Sequence, residues 1–536
     1  MNVRQRNWWG WGYLDEALDQ AVLDQAVALL QAATGMATLE QRQPPRLEDI
    51  SLRAPRIQPP PELASICSSS LLDRVSHSYG KAYRDLARAL RGRFDNPPDL
   101  VAYPRTEAEI GALMDHCARE GIALIPYGGG SSVVGGVEPS GSGRYPGVIT
   151  VDLKHFDQIL EVDQESRCAR IQAGIFGPEL EAGLKPHNLT LRHFPQSFEF
   201  STLGGWIATR AGGHFATGPT HIDAFVESVR MITPRGVLET RRVPCSGAGP
   251  NPVELVLGSE GAFGIITEAW VRLQAIPTFR SSRAVRFQDG AQSLRAVRAI
   301  SQSGLLPANC RLVSPLEAMS MRLGNGRDTV LLLGFESHDH PVDARMERAL
   351  ALCAQAEGRP DRAEPGGERS AAADTWKTAF LQVPYIRDRL ALLGFVVETF
   401  ETAITWDRFE TFHQAVLDAV AGAIAAYGGQ GFAMWRFTHV YPDGPAVYYS
   451  VVASSSGDRQ LEHWDSIKAA ACDAIIANGG TITHHHAVGK DHRPWYERER
   501  GPLVTAALAT VKQSVDPRWI LNPDTLIAAA AQPTVA

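Results

Sequence analysis

Three consecutive histidines, His484-His485-His486, stand inside GGTITHHHAVGK, and far upstream the run PYGGGSS follows the apolar stretch Ile122-Ala123-Leu124-Ile125. Imidazoles can move protons or hold a metal near neutral pH. A bare glycine run lets backbone N–H groups approach an anion, a pyrophosphate above all. The glycines match neither common nucleotide motif: no Lys-Ser or Lys-Thr closes a Walker loop, and Gly128, Gly129, Gly130, Gly135 and Gly136 lack the Rossmann spacing. A plain glycine-rich turn is the simple alternative. Read as an extended strand, the triplet puts His484 and His486 on one face and His485 on the other. A metal site is the rival reading, but the next ligand types, Asp491 and His492, lie beyond Gly489 in an expected turn, so no metal is expected. Tyr448 and Tyr449 in GPAVYYSVV read as strand residues facing opposite sides. A phenol titrates near about pH 10 and serves as a base only with a cationic or hydrogen-bonding neighbour, for which the histidines are candidates.

The chain of 536 residues is long for one core, so two domains or one large insertion are expected. A net charge of −7 with scattered Lys and Arg argues against a nucleic-acid partner. Seven widely spaced cysteines without a Cys-x-x-Cys give no disulfide frame or zinc site and suit a reducing compartment. Arg4 and Arg6 are not followed by the apolar core of a signal peptide, and no apolar run reaches the roughly 18 residues of a spanning helix. A cytoplasmic protein, at most peripheral at a membrane surface, is expected. Only seven of the 52 basic residues are lysine (81, 154, 185, 377, 468, 490 and 512), a bias that points to a GC-rich bacterial genome.

The elements that must position these residues show in the periodicity. Residues 14–33 carry helical spacing at Leu14, Leu18, Val22, Ala26, Leu29 and Leu30, which predicts a packed helix or one resting on a membrane. Six prolines between 43 and 62 mark an irregular connector. Residues 95–275 alternate short apolar runs with helical stretches, an α+β pattern with strands at 147–151 and 169–173. After Pro277 come arginine-rich helices, a polar stretch at 354–374 that reads as an exposed loop, and the strand-like TAITW and AVYYSVVA.

The segment from Asp99 to Ala275, with QSFEFSTLGGWIATRAGG and GSEGAFGIITEA inside it, resembles the FAD-binding domain of the vanillyl-alcohol-oxidase-type flavoproteins. Within that superfamily the chain is most similar to the alkyldihydroxyacetonephosphate synthase family of ether-lipid enzymes, through NWWGWGYLDEA, VETFETAITWDR, RFTHVY and GGTITHHHAVGK. The resemblance implies a two-subdomain FAD-binding domain with a cap or substrate domain. The divisions are an N-terminal helical segment and connector at 1–94, the FAD domain at 95–278, the cap at 279–490, and a C-terminal return to the FAD domain at 491–536.

It implies noncovalent FAD held by Pro126, Tyr127, Gly128, Gly129, Gly130, Ser131 and Ser132, by Gln196, Ser197, Phe198, Glu199, Phe200, Ser201 and Thr202, by Thr209, Arg210, Ala211 and Gly212, and by Glu260, Gly261, Ala262, Phe263, Gly264, Ile265 and Ile266. Small residues and hydroxyls suit close approach to phosphates, and Arg210 could add charge there. The implied reaction is redox-neutral: the acyl chain of acyl-dihydroxyacetone phosphate is exchanged for a long-chain fatty alcohol through an adduct of the substrate's C1 with flavin N5. Tyr448 matches the family's catalytic tyrosine, with His484, His485 and His486 beside it; Arg387 matches its substrate-binding arginine, and Arg311 another arginine needed for activity, expected to position the flavin or cap. A homodimer and a lipid-surface location are implied as well. Departures from the family pattern at Ala487, Trp435 and 213–220 lie close to the site and bear on chain length and head group. The alternative on the same fold is an FAD-linked 2-hydroxyacid dehydrogenase or oxidase of the lactate or glycolate type.

Overall fold

The computed structural model describes residues 4–16, 20–35, 42–140, 143–361, 371–455 and 457–528. Its architecture is α+β, built on three main sheets. The smallest has the order Cys67–Ser68, Leu100–Ala102, Val148–Asp152, Ala123–Tyr127, with the last three strands parallel and the first antiparallel. Parallel neighbours need a crossover, and the helix Glu107–Glu120 supplies one. Thr106 caps its start by accepting from Glu109 N at 3.2 Å, left-handed Gly121 ends it, and Ile110, Leu113, Met114 and Cys117 bury its apolar stripe against Leu124 and Ile149. The strand Ala123–Tyr127 therefore delivers Gly128–Gly130 at its carboxyl end. Residues 520–522 run beside it: Leu124 N donates to the Ile520 carbonyl and Asn522 N to the Leu124 carbonyl. The sheet also takes its edge from Cys67–Ser68, upstream of a division at 95.

A five-stranded antiparallel sheet follows, in the order Ile159–Asp163, Cys168–Gln172, Ile265–Arg272, Val226–Thr233, Gly236–Glu239. The third sheet has seven antiparallel strands, ordered Arg359–Pro360, Phe279–Phe287, Thr329–Ser337, Asn309–Val313, Gly431–Val440, Pro445–Ser454, Phe395–Ala403. The helices Gly290–Gln302, Asp343–Gln355, Phe409–Ala426 and Gln460–Ala477 join one face of it in the largest core, which takes Leu312, Leu331, Tyr449 and Val451 from the strands. Alternation then turns Arg311, Arg436 and Tyr448 to the opposite face.

Three expectations are corrected. The first helix spans Gln20–Thr34, not 14–33: Leu14 N donates to the Gln5 carbonyl and Arg6 bridges Tyr13, so the chain doubles back there, while residues 17–19 lie outside the described ones. The stretch 354–374 is not one loop, because the helix Asp343–Gln355 runs into it, Arg359–Pro360 forms an edge strand and another helix spans Ala371–Leu392; residues 362–370 lie outside the described ones. His484–His486 form a bent loop rather than a strand. Among the described residues no helix is long and apolar enough to cross a membrane.

Candidate active site

The glycine run has no room for side chains. A Cβ on Gly128 would overlap the Thr202 hydroxyl, and one on Gly129 the Phe200 carbonyl oxygen. Among the described residues the backbone N–H groups from Gly128 to Val133 find no acceptor in the protein, and they line a cavity of about 210 Å3. Successive free N–H groups at the end of a strand form an anion cradle. These residues suit a dinucleotide pyrophosphate, with Ser201 and Thr202 as neighbouring hydroxyls on the same cavity.

The opposite wall is the open face of the seven-stranded sheet. In register, Glu401 pairs with Tyr448, Tyr448 with Arg436 and Arg436 with Val313, so Glu401, Tyr448 and Arg436 form one cross-strand row with Arg311 two residues from its end. Arg436 is fully buried, forms a short ion pair with Glu317, and lies 3.9 Å over the Tyr448 ring. Arg311 donates to the His214 carbonyl at 3.1 Å; burial, and then Arg436, push it down to about 9. Two guanidiniums on this wall give it groups of the kind that recognise anions. Tyr448 is buried, which pushes its phenol up, with Arg436 acting in the opposite direction.

Glu401 explains the histidine loop. Its carboxylate accepts from the backbone N–H groups of His484 (2.6 Å), His485 (3.0 Å) and His486 (2.8 Å) and from the Thr483 hydroxyl (2.6 Å). Three consecutive N–H groups cannot converge on one carboxylate in an extended strand, where they alternate direction. Burial pushes Glu401 up, but His485, His486, His484 and Thr483 outweigh it and hold the carboxylate well below its usual range. Burial pushes His485 and His486 down to about 4 against the pull of Glu401, so both imidazoles are neutral at pH 7. The cation beside Tyr448 is therefore Arg436, not a histidine. Ala487 sits at φ 72°, a left-handed position that favours the glycine of the family pattern.

The cavity brings together Gly128–Ser132, Gln196, Ser197, Ser201, Thr202, Thr209, Ala211, Gly212, Arg311, Arg387, Tyr448, His485 and His486. Arg387 is held by its own neighbour Asp388 (2.7 Å) and by the Lys81 carbonyl (2.7 Å). Pro126 and Tyr127 end the strand behind the cradle, and Phe198, Glu199 and Phe200 form a short 3-10 turn beside it. Arg210 faces away, bound to Asp223 at 2.6 Å. Glu260 accepts from Val488 N (2.9 Å) and Gly489 N (2.8 Å); burial pushes it up to about 7 against these bonds. Gly261 abuts Pro126, Gly264 abuts Met231, and Ala262, Phe263, Ile265 and Ile266 are buried in the core.

His484 turns from the cavity toward His221 and Tyr441. Nitrogens of His439, His484 and His485 lie within 4.8 Å of one another, engaged with Thr220, Thr438, Tyr441, His221 and each other. Asp491 is drawn instead to Arg84, and His492 to the Ala487 carbonyl.

Sequence reading missed Glu401, whose signal was a buried-strand carboxylate in VETFETA, and His221 and Tyr441. It also missed Arg6, which donates to the Gly129 carbonyl at 2.8 Å, and Lys81, which donates to the Asn7 carbonyl at 3.0 Å.

An anion cradle in one domain closed by a basic, tyrosine-bearing sheet of a second domain defines a two-domain FAD-linked flavoprotein. Residues 98–241 match the family described as "FAD binding domain" and 276–526 that described as "FAD linked oxidases, C-terminal domain". The alkyldihydroxyacetonephosphate synthase of Dictyostelium discoideum is 31% identical over 485 residues, covering 85% of this chain and 77% of that protein. A solved structure of an alkyldihydroxyacetonephosphate synthase superposes with a TM-score of 0.81 at 26% identity, covering 97% of this chain and 98% of the other. The glycolate oxidase subunit GlcD of Bacillus subtilis stands further off, at 24% identity over 83% of this chain and 92% of its own length. The chain belongs to the alkyldihydroxyacetonephosphate synthase family, and FAD is its cofactor.

Proposed function

We propose that this chain exchanges the acyl group of acyl-dihydroxyacetone phosphate for a long-chain fatty alcohol. One observation carries the reading. A largely apolar cavity of about 710 Å3, lined by Val22, Ala26, Leu29, Met319, Phe432 and Met434 among others, shares Val383, Arg387, Thr399 and Arg436 with the cavity that holds Tyr448, His485 and the glycine cradle. A lipid chain suits the first and a charged head group the second.

In the exchange the C1–O bond to the acyl group breaks and the carboxylate leaves with the electron pair. The alcohol O–H breaks, a C1–O bond to the alkyl chain forms, and one proton is released. Bound FAD supplies the nitrogen centre at which C1 changes oxygen partners. The chain's own residues do the rest: Arg311 and Arg387 hold and orient the phosphorylated end, Tyr448 with Arg436 beneath it handles the C1 proton, and the glycine cradle fixes the pyrophosphate. A peripheral lipid-surface location rests on the family resemblance. The homodimer rests on the family resemblance, and the scarcity of lysine supports a bacterial source.

The test supplies palmitoyl-dihydroxyacetone phosphate and labelled hexadecanol without an electron acceptor. Labelled ether with released palmitate is expected. No ether, together with bleaching of the flavin by a 2-hydroxyacid, would replace this reading with the dehydrogenase.

A further inference from the structure

The proton released by the exchange arises in the reaction cavity, and the structure holds a continuous chain of polar side chains that leads out of it. His485 lines both the 210 Å3 cavity and a separate pocket of about 740 Å3 on the other side of the histidine loop. Among the described residues its Nε2 has no protein partner, while its Nδ1 lies 3.0 Å from Nδ1 of His484. Nε2 of His484 lies 2.7 Å from the Tyr441 hydroxyl and 3.2 Å from Nε2 of His221. Tyr441 and His221 both line the 740 Å3 pocket. His484 thus has one ring nitrogen on the inner neighbour and the other on the outer ones, the arrangement an imidazole needs to take a proton on one side and give one up on the other.

We propose that His485, His484 and the pair Tyr441 and His221 form a proton relay from the reaction cavity to solvent in the 740 Å3 pocket, with Tyr441 and His221 as its outlet. The inference rests on the proposed alcohol exchange for its source of protons. A proton arriving at Nε2 of His485 releases the one on Nδ1 to His484, whose Nε2 proton passes to Tyr441 or His221 and on to water. No electron moves and the chain returns to its starting protonation after each tautomer reset. Glu401 faces the relay from the neighbouring strand, with an oxygen 3.4 Å from Nδ1 of His485, and steadies a transient imidazolium there. Arg311, Arg436 and His439 face it from the sheet and Asp223 from the outlet side; the positive groups near the cavity favour outward movement. Tyr441 and His221 touch no reacting atom and act through His484.

The experiment uses the flavin-loaded protein with Tyr441→Phe, His221→Gln and the double variant. In dilute buffer the double variant is expected to lose about 10²-fold in kcat for ether formation, the scale of an assisted proton transfer. Each single variant should lose less, because either outlet serves. Flavin content should not change, the solvent deuterium isotope effect on kcat should rise, and added imidazole, small enough for the 740 Å3 pocket, should restore turnover. An unaltered kcat in the double variant overturns the relay, and so does a loss that imidazole leaves untouched, which marks a structural role. A second measurement needs no turnover: with ¹⁵N-histidine label, Tyr441→Phe should move the ring-nitrogen resonances of His485, which Tyr441 does not touch, as well as those of His484. Movement of His484 alone breaks the chain of contacts, as does a stoichiometric metal ion in the purified protein. Wild-type protein that makes no ether refutes the proposed function, and the nitrogen spectra still decide the relay.

Discussion

Tyr448, the residue proposed for proton transfer, stands in a setting that works against its ionisation. Burial pushes the phenol up, opposed first by the guanidinium 3.9 Å over its ring and then by a hydrogen bond with Thr399. That guanidinium is already paired with Glu317, so it lends polarity without a free charge. The phenol is therefore suited to pass a proton in concert with its neighbours rather than to stand ionised at neutral pH. Tyr448→Phe keeps the ring over Arg436 and removes only the oxygen. It should lower kcat by about 10²- to 10⁴-fold, with bound FAD and the unfolding midpoint unaltered. Flavin absorbance, denaturant unfolding and ether formation on one preparation check this, and a variant retaining full turnover removes Tyr448 from the chemistry. Tyr448 was readable from its place in GPAVYYSVV and from the family pattern. Arg436 was visible only as a letter in RFTHVY, because its role comes from strand register with a residue twelve positions away.

At the scale of elements, the strand Phe395–Ala403 and the loop 484–486 act as one device, since a carboxylate on the strand gathers three backbone N–H groups of the loop. Nothing local to HHH announces this. The triplet reads equally as a strand until a partner some 80 residues upstream dictates a bend. The strands Val148–Asp152 and Cys168–Gln172, by contrast, were legible because apolar runs bounded by turn residues carry their own signal. Glu401→Gln tests the device. A glutamine oxygen can replace one carboxylate oxygen, but its amide group faces another N–H, leaving one donor unsatisfied at a buried site. A loss of about 3 kcal/mol is expected at pH 7. The sign with pH follows from a carboxylate held well below its usual value. The wild-type advantage is full above the unfolded value of about 4.3 and is lost as the pH falls through the folded value. Urea unfolding of both proteins at neutral and acid pH measures the difference, and equal stability at pH 7 would mean that Glu401 does not hold the loop.

On the scale of the whole molecule, the two cavities meet at Arg387, Thr399 and Arg436, and the parts around them come from distant stretches of the chain. The α+β class was readable from the alternation of apolar runs and helical stretches over 95–275, and a second domain from the change of texture after Pro277. The apolar cavity was not, because part of its wall is the helix Gln20–Thr34, whose stripe reads as a packed helix or as one resting on a membrane. In the fold that stripe faces the sheet: Leu30 is buried in the cap core while Val22, Ala26 and Leu29 border empty space. An aliphatic chain there gains about 0.8 kcal/mol for each methylene taken from water, so kcat/KM should climb by up to roughly fifteenfold for every two carbons of alcohol until the space is filled. Ala26→Phe places a ring in that space without touching Tyr448, the histidines or the glycine cradle. The climb should then stop at a shorter alcohol, with octanol nearly unaffected and octadecanol losing most. Profiles of kcat/KM from octanol to octadecanol for both proteins decide it. If the two curves run parallel along their whole length, the chain lies elsewhere, and the helix Gln20–Thr34 is a brace for the cap rather than a wall of the substrate channel.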